Sequence, residues 1–201
     1  INMPSAEIIS IGSELLLGQI VDTNATWMAQ RLTEIGVDLY RKSVVGDNKS
    51  RMFDVINQAL DRSDIVICGG GLGPTHDDVT KIALSELFNS ECIFLKDRHI
   101  KITKKFNKAD VPKCQSEVLD IANPLDNTVG TAMGMYFKHK NSNLIVLPGV
   151  PLEMKGMLDL YLSSKSSLKI AKQNIVTINT LGIYETKLSD KMKPFMKKYN
   201  K

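Results

Sequence analysis

The sequence predicts an α/β protein built on a mostly parallel sheet that helices cover on both faces. Three observations predict it. Short, mostly apolar runs recur along the chain, amphipathic stripes of about ten to fifteen residues separate them, and the joining segments are short and rich in glycine, aspartate and asparagine. Strands and helices that alternate in this way imply right-handed βαβ crossovers.

Taken in order, Ala6 to Ile11 is an apolar run that stops at Gly12 and reads as a buried strand. Ala25, Met28, Ala29 and Leu32 recur at i, i+3, i+4 and i+7 and end before Gly36, which is a helix with one apolar face. Val37 to Val45 is the next strand, closed by Gly46, Asp47 and Asn48. Met52, Val55, Ile56, Ala59 and Leu60 stripe a second helix, and Ile65 to Cys68 is a third strand that runs into Gly69, Gly70, Gly71 and Gly73. Val79, Ile82, Ala83 and Leu87 stripe a third helix, and Glu91 to Leu95 is expected to be a fourth strand. Gly134 to Lys140 and Asn143 to Leu147 flank the turn-prone Lys140-Asn141-Ser142 as a hairpin, which leads through Pro148-Gly149-Val150-Pro151 into a helix from about Leu152 to Leu162. Ser163 to Ser167 reads as a linker, Ile175 to Ile183 as a strand and Lys187 to Tyr199 as a basic helix. Residues 1–170 are therefore read as the main domain. Residues 171–201 are a strand-helix extension too small to hold a core alone, the start of a second module.

Composition limits the class further. The chain has 201 residues, 43% hydrophobic and 24% charged, which suits a globular domain and excludes a disordered or fibrous one. No apolar run approaches the roughly 20 residues of a membrane span, and Ile8 to Val21 is interrupted by Glu14 with no basic segment before it, unlike a secretory signal. Cys68, Cys92 and Cys114 form neither a CxxC pair nor a zinc framework, so reduced thiols and a cytoplasmic location are expected. The net charge of +4 is local. Lys187 to Lys201 holds six lysines against Asp190, leaving twenty basic and twenty-one acidic residues elsewhere. A second basic stretch, Lys96 to Lys113, carries Ile100, Ile102, Phe106 and Val111 at helical spacing and reads as a solvated helix face. No aromatic platform is interleaved with its charge, so neither nucleic acid nor a membrane is an expected partner.

Ligands of parallel α/β sheets bind beyond the carboxyl ends of the strands, where the glycine-rich segments fall. Gly69-Gly70-Gly71-Leu72-Gly73-Pro74-Thr75-His76-Asp77-Asp78 brings backbone amides and a helix start together, a setting for phosphate. It is not a P-loop, because no Gly-Lys-Ser/Thr follows, and it is not a dinucleotide fingerprint, because Pro74 stands where a third glycine is needed. A plain turn capped by an aspartate explains one or two glycines and one acid, not four and two. Asp77 and Asp78 would repel an anion unless a divalent cation joins them to it, which predicts a metal-diphosphate site. His76 has no second histidine at ligand spacing and reads as a surface residue. Glu14 lies in an otherwise apolar stretch, where an unpaired carboxylate would be costly. Asp22, Thr23 and Asp47 at the same edge are equally explained as caps and turn residues.

Five phrases, in order, resemble one family. They are Gly12 to Asn24 (GSELLLGQIVDTN), Val44 to Asn48 (VVGDN), Gly70 to Thr80 (GGLGPTHDDVT), Asn127 to Ala132 (NTVGTA) and Leu147 to Lys155 (LPGVPLEMK). Together they are similar to the amino-terminal domain of the CinA family, of the molybdopterin-binding superfold shared with MogA, MoaB and MoeA. The resemblance covers about Ala6 to Leu162. It implies a three-layer α/β/α fold and a metal-dependent ADP-ribose pyrophosphatase promoted by potassium. Carried over by position, it implies that Gly70, Gly71, Gly73 and Thr75 hold phosphates and that Asp77 and Asp78 serve metal and catalysis. Asp47, a third catalytic candidate, would line the site with Gly12, Glu14, Asn24 and Thr131, and Glu153 and Lys155 would contact ligand or a neighbouring subunit. Ser13 and Met133 depart from the family's usual threonine and proline. The deamidase domain of full-length CinA has no counterpart here, so the chain reads as a short form or a shortened piece.

The expected function is therefore hydrolysis of the diphosphate of ADP-ribose or a related nucleotide, with Mg²⁺, Mn²⁺ or Co²⁺. Binding of molybdopterin or its adenylyl form is the alternative, and a non-catalytic competence or repair module acting through the basic tail ranks last. A homo-oligomer, dimer or trimer, is expected, with Trp27, Met28 and the hairpin near Tyr136 and Phe137 as candidate contact surfaces that the core explains equally well.

Overall fold

In the computed structural model, which describes residues 3–107, 110–164 and 178–199, the elements begin β1 (Ser5–Ile11), α1 (Ser13–Leu16), α2 (Thr23–Glu34), β2 (Asp38–Val45), α3 (Lys49–Arg62) and β3 (Ile65–Gly69). They continue with α4 (Thr80–Phe88), β4 (Cys92–Phe94), α5 (Lys96–Phe106), a 3-10 turn (Lys113–Ser116), β5 (Glu117–Leu119) and β6 (Asn123–Leu125). The last are β7 (Gly134–His139), β8 (Ser142–Leu147), α6 (Pro151–Ser164) and α7 (Glu185–Tyr199). The main sheet runs β2-β1-β3-β8-β7-β6, in which the first four strands are parallel and β7 pairs antiparallel with both β8 and β6.

Period-two alternation divides the sheet's apolar residues between two helical layers. Ala6, Ile8, Ile65, Ile67, Ile145 and Leu147 face α2 and α6, where Met28, Leu32, Met154 and Leu158 close one core. Ile9, Ile11, Val66, Cys68, Leu144 and Val146 face the other way, onto Met52 and Ile56 of α3 and Ala83 and Leu84 of α4. The result is the three-layer α/β/α arrangement. The sheet's edges carry features that discourage further pairing: Arg41 and Lys42 on exposed β2, and the three-residue β6 with Pro124.

Two expected strands differ. Glu91 to Leu95 yields β4, but it leaves the main sheet and pairs antiparallel with β5 in a separate ribbon. All three residues of β4 are exposed, whereas β8 offers four consecutive buried residues, Leu144 to Leu147, and takes the place beside β3 that demands burial on both faces. Of the expected strand Ile175 to Ile183, residues 175–177 lie outside the described residues, and residues 178–184 form no strand, with Ile178 and Leu181 exposed. The expected linker begins inside α6, whose Ser163 and Ser164 hydroxyls donate to the carbonyls of Leu160 and Tyr161. Residues 165–167 lie outside the described residues.

The surfaces suggested for self-association are occupied within one chain. Met28 is fully buried, Phe137 meets Phe88 edge-on with centroids 5.0 Å apart, Tyr136 packs on Tyr161, and the Lys155 ammonium lies over the Trp27 ring. At the far end of β1 from its carboxyl edge, Glu7 is 1% exposed and accepts two hydrogen bonds from Arg62, at 2.5 and 2.7 Å, and one from Ser63.

Candidate functional site

The strand order places β2 on one side of β1 and β3 on the other, and their crossovers depart to opposite faces, which opens a crevice at the carboxyl ends. A cleft of about 450 Å³ lies there, lined by the segments after β1, β3 and β8 together with Gln115 and Ala132.

The glycine loop after β3 forms its floor. Gly70 (φ 119°) donates its N–H to Leu147 O, and a Cβ there would stand 2.1 Å from the Ile11 carbonyl oxygen. Gly71 (φ 66°) would meet the Thr80 hydroxyl at the same distance. Thr80 fixes the loop from below, donating from its hydroxyl to Gly70 O (3.0 Å) and from its N–H to Gly71 O (3.3 Å), while the Leu72 side chain is sunk in the core. No hydrogen bond within the described residues uses the N–H groups of Gly71, Leu72 or Gly73. Three unspent amides on one loop are donors that a ligand can use. Because Ile11 O is backbone and cannot turn aside, Gly70→Ala is expected to cost about 3 kcal/mol. That corresponds to a melting temperature lower by about 6–12 °C, and thermal unfolding of the purified variant checks it.

The walls are acidic. Glu14, Asp22, Asp78 and Glu153 line the cleft, and among the described residues no Lys, Arg or His does. Asp78 Oδ2 accepts from both the N–H (2.9 Å) and the hydroxyl (2.6 Å) of Thr75, so Thr75 acts on the site through Asp78. Asp22 caps α2 by accepting from the Ala25 N–H and also accepts from the Ser10 hydroxyl, so it is cap and wall at once. Glu153 accepts from the Asn127 amide (2.5 Å), whose own oxygen accepts from the N–H groups of Val129 and Gly130 and shapes that loop. Asn24 lines the cleft and donates to Gly149 O (2.7 Å), which ties the segments after β1 and β8 together.

Other expected residues stand elsewhere. Asp77 is 70% exposed outside the lining, 2.7 Å from a still more open His76. Asp47 is turned away as well; its carboxylate accepts from the Ser13 N–H (2.9 Å) and holds the start of α1, the turn that carries Glu14. Gly12 spends its N–H on Val45 O, Thr131 is replaced in the lining by its neighbour Ala132, and Lys155 stacks on Trp27. Glu14 itself is exposed, not enclosed in apolar surroundings, because the run from Leu16 to Val21 sits at the surface, with Leu17 70% and Val21 82% exposed. Sequence reasoning did not select Gln115, Asn127 or Ser10. Asn127 could have been found as an Asx-type turn residue ahead of Gly130; Gln115 belongs to no motif. None of the three free cysteines is among the residues that line the cleft, and burial pushes the Cys68 thiol up to about 12.

A glycine floor at the switch point of a three-layer α/β sheet defines a class of ligand-binding α/β domain. The family described as "Probable molybdopterin binding domain" matches residues 7–167, and the chain belongs to it. Within that family it is similar to the crystal structure of the protein CinA with unknown function from Thermoplasma acidophilum, at 33% identity and a TM-score of 0.74, over 82% of this chain and 99% of that one. A "Putative competence-damage inducible protein" of Halothermothrix orenii is 40% identical over 97% of this chain and 49% of its own length. The chain thus spans about half the length of the curated relatives it matches. The molybdopterin biosynthesis enzyme MoaB of Thermus thermophilus shares the fold at 17% identity and a TM-score of 0.57, over 83% of this chain and 97% of that one. Among the described residues, no helix is long and apolar enough to cross a membrane.

Proposed function

We propose that the cleft binds the diphosphate of a nucleotide such as ADP-ribose as its divalent-metal complex and hydrolyses it. One observation carries this reading: unspent backbone amides share a cleft with four carboxylates and, among the described residues, no basic side chain. Such a cleft attracts an anion at its floor and repels it at its walls, so the ligand that suits both brings cations with it. An ion such as Mg²⁺, Mn²⁺ or Co²⁺ would take one or two protein carboxylates there and complete its shell with phosphate oxygens and water. Asp78, whose Oδ1 is left by Thr75, would hold it, with Asp77 assisting at the rim. Bound there, the ion neutralises the diphosphate and acidifies water.

The chain's own groups do the rest. The Gly71 to Gly73 amides steady the charge that builds on the phosphate oxygens, a wall carboxylate takes the proton of the attacking water, and Asp47 keeps Glu14 at the mouth through Ser13. Potassium would find the same oxygen-rich walls. The exposed apolar side chains at the mouth, Leu17, Ile20 and Val21, support a homo-oligomer.

The family's description and the MoaB relative favour a second reading, in which the same floor holds the phosphate of molybdopterin without turnover. Incubating the protein with ADP-ribose and Mg²⁺, Mn²⁺ or Co²⁺, with chelator controls, tests the first. AMP and ribose phosphate released only with metal support it. Absence of turnover with a fluorescent pterin retained on purification supports the second.

A further inference from the structure

Gln115 is the one neutral amide in the cleft whose side chain is still free. It lines the wall, yet neither polar atom of its carboxamide makes a hydrogen bond within the described residues, whereas the Asn24 amide nitrogen donates to Gly149 O and leaves only its buried Oδ1 unpaired. Its backbone is held on every side. The Gln115 N–H donates to Pro112 O (3.0 Å), its carbonyl accepts from the Met133 N–H (3.1 Å), and the preceding Cys114 carbonyl accepts from the buried Lys81 ammonium. Ser116, after it, is fully buried and accepts on its carbonyl from the Leu95 N–H. Lys81 lies in the first turn of α4, directly after the glycine loop and Asp78, so the tie through Cys114 fixes Gln115 relative to the phosphate floor. A long side chain left unpaired on so constrained a backbone is suited to a ligand, not to the fold.

We propose that the Gln115 carboxamide donates to a phosphate oxygen of the bound diphosphate, as a neutral donor that lines the same otherwise acidic cleft as the glycine loop. This rests on the reading of the cleft as a diphosphate site, not on hydrolysis. Lys81 is the positioning residue that presents it.

The test is calorimetric binding of Mg²⁺-pyrophosphate, and separately of ADP-ribose with Mg²⁺, to the wild type, Gln115→Leu and Gln115→Glu. Because the half-buried side chain makes no hydrogen bond within the described residues, both variants should melt close to the wild type. Losing a donor to a charged oxygen should weaken both ligands about 10- to 100-fold in Gln115→Leu. Gln115→Glu should weaken them further, since a carboxylate repels phosphate. Unchanged pyrophosphate affinity in Gln115→Leu overturns the proposal, as does full ADP-ribose affinity in Gln115→Glu, which would mark the partner as a ribose hydroxyl. Wild type that binds both ligands but hydrolyses neither ends the pyrophosphatase reading and leaves Gln115 standing. Wild type that binds neither ends both.

Discussion

Replacing Asp78 with asparagine is expected to lower metal-dependent ADP-ribose hydrolysis by about 100- to 1,000-fold, the range seen when one preorganised electrostatic group is lost. The fold should not change. Asparagine keeps the shape of aspartate, and its oxygen still accepts from the Thr75 N–H that now bonds Asp78 Oδ2 at 2.9 Å. What it removes is the charge at the start of α4 that would meet a divalent ion, so the loss should appear in the metal concentration needed as well as in turnover. Asp77→Asn is the natural comparison, because Asp77 is 70% exposed and outside the cleft lining; its loss should be clearly smaller. Steady-state rates across a metal titration, with melting curves for both variants, decide it. Undiminished turnover in Asp78→Asn removes this residue from the chemistry, and a larger loss in Asp77→Asn reverses the two roles.

The parts of the molecule that were legible in advance are those whose physics is local. The α2 stripe at Ala25, Met28 and Leu32 and the buried β3 announce themselves through periods of 3.6 and 2. The glycine loop did so through residue types that only close backbone approach requires, as the Ile11 and Thr80 oxygens beside Gly70 and Gly71 show. β4 was misplaced because three apolar residues say nothing about which strand they will meet, and β8 arrives beside β3 from some 75 residues further along the chain. Glu14 misled for a related reason. Hydrophobicity from Leu15 to Val21 suggested enclosure, but the single turn of α1 leaves the segment at the cleft mouth. Gln115 has no local signal, since its place depends on Lys81 and Met133 converging on its turn from separate parts of the chain.

The largest stability effect should come from Arg62. Its guanidinium holds Glu7, 1% exposed on β1, in a two-point pair, and that hydrogen bonding, against the opposing effect of burial, keeps the Glu7 carboxyl below its ordinary value. A carboxyl lowered in the folded state adds stability above the pH where an unfolded glutamate titrates, and that contribution is lost as pH falls through its folded value. Arg62→Met leaves a carboxylate buried with only Ser63 and the more distant Arg41 to answer it, which should lower stability clearly at neutral pH. Without the guanidinium, burial dominates and raises the carboxyl instead, so the sign reverses: the folded variant binds a proton more tightly than the unfolded chain. The deficit against wild type should therefore shrink as pH is lowered from 7 toward about 5. The double variant Glu7→Gln/Arg62→Met, with no charge to bury, should recover much of the loss at pH 7. Urea unfolding at both pH values measures all three proteins. A deficit of the same size at pH 5 and pH 7, unrelieved by the second substitution, would show that Arg62 matters for its packing and not for the charge it answers.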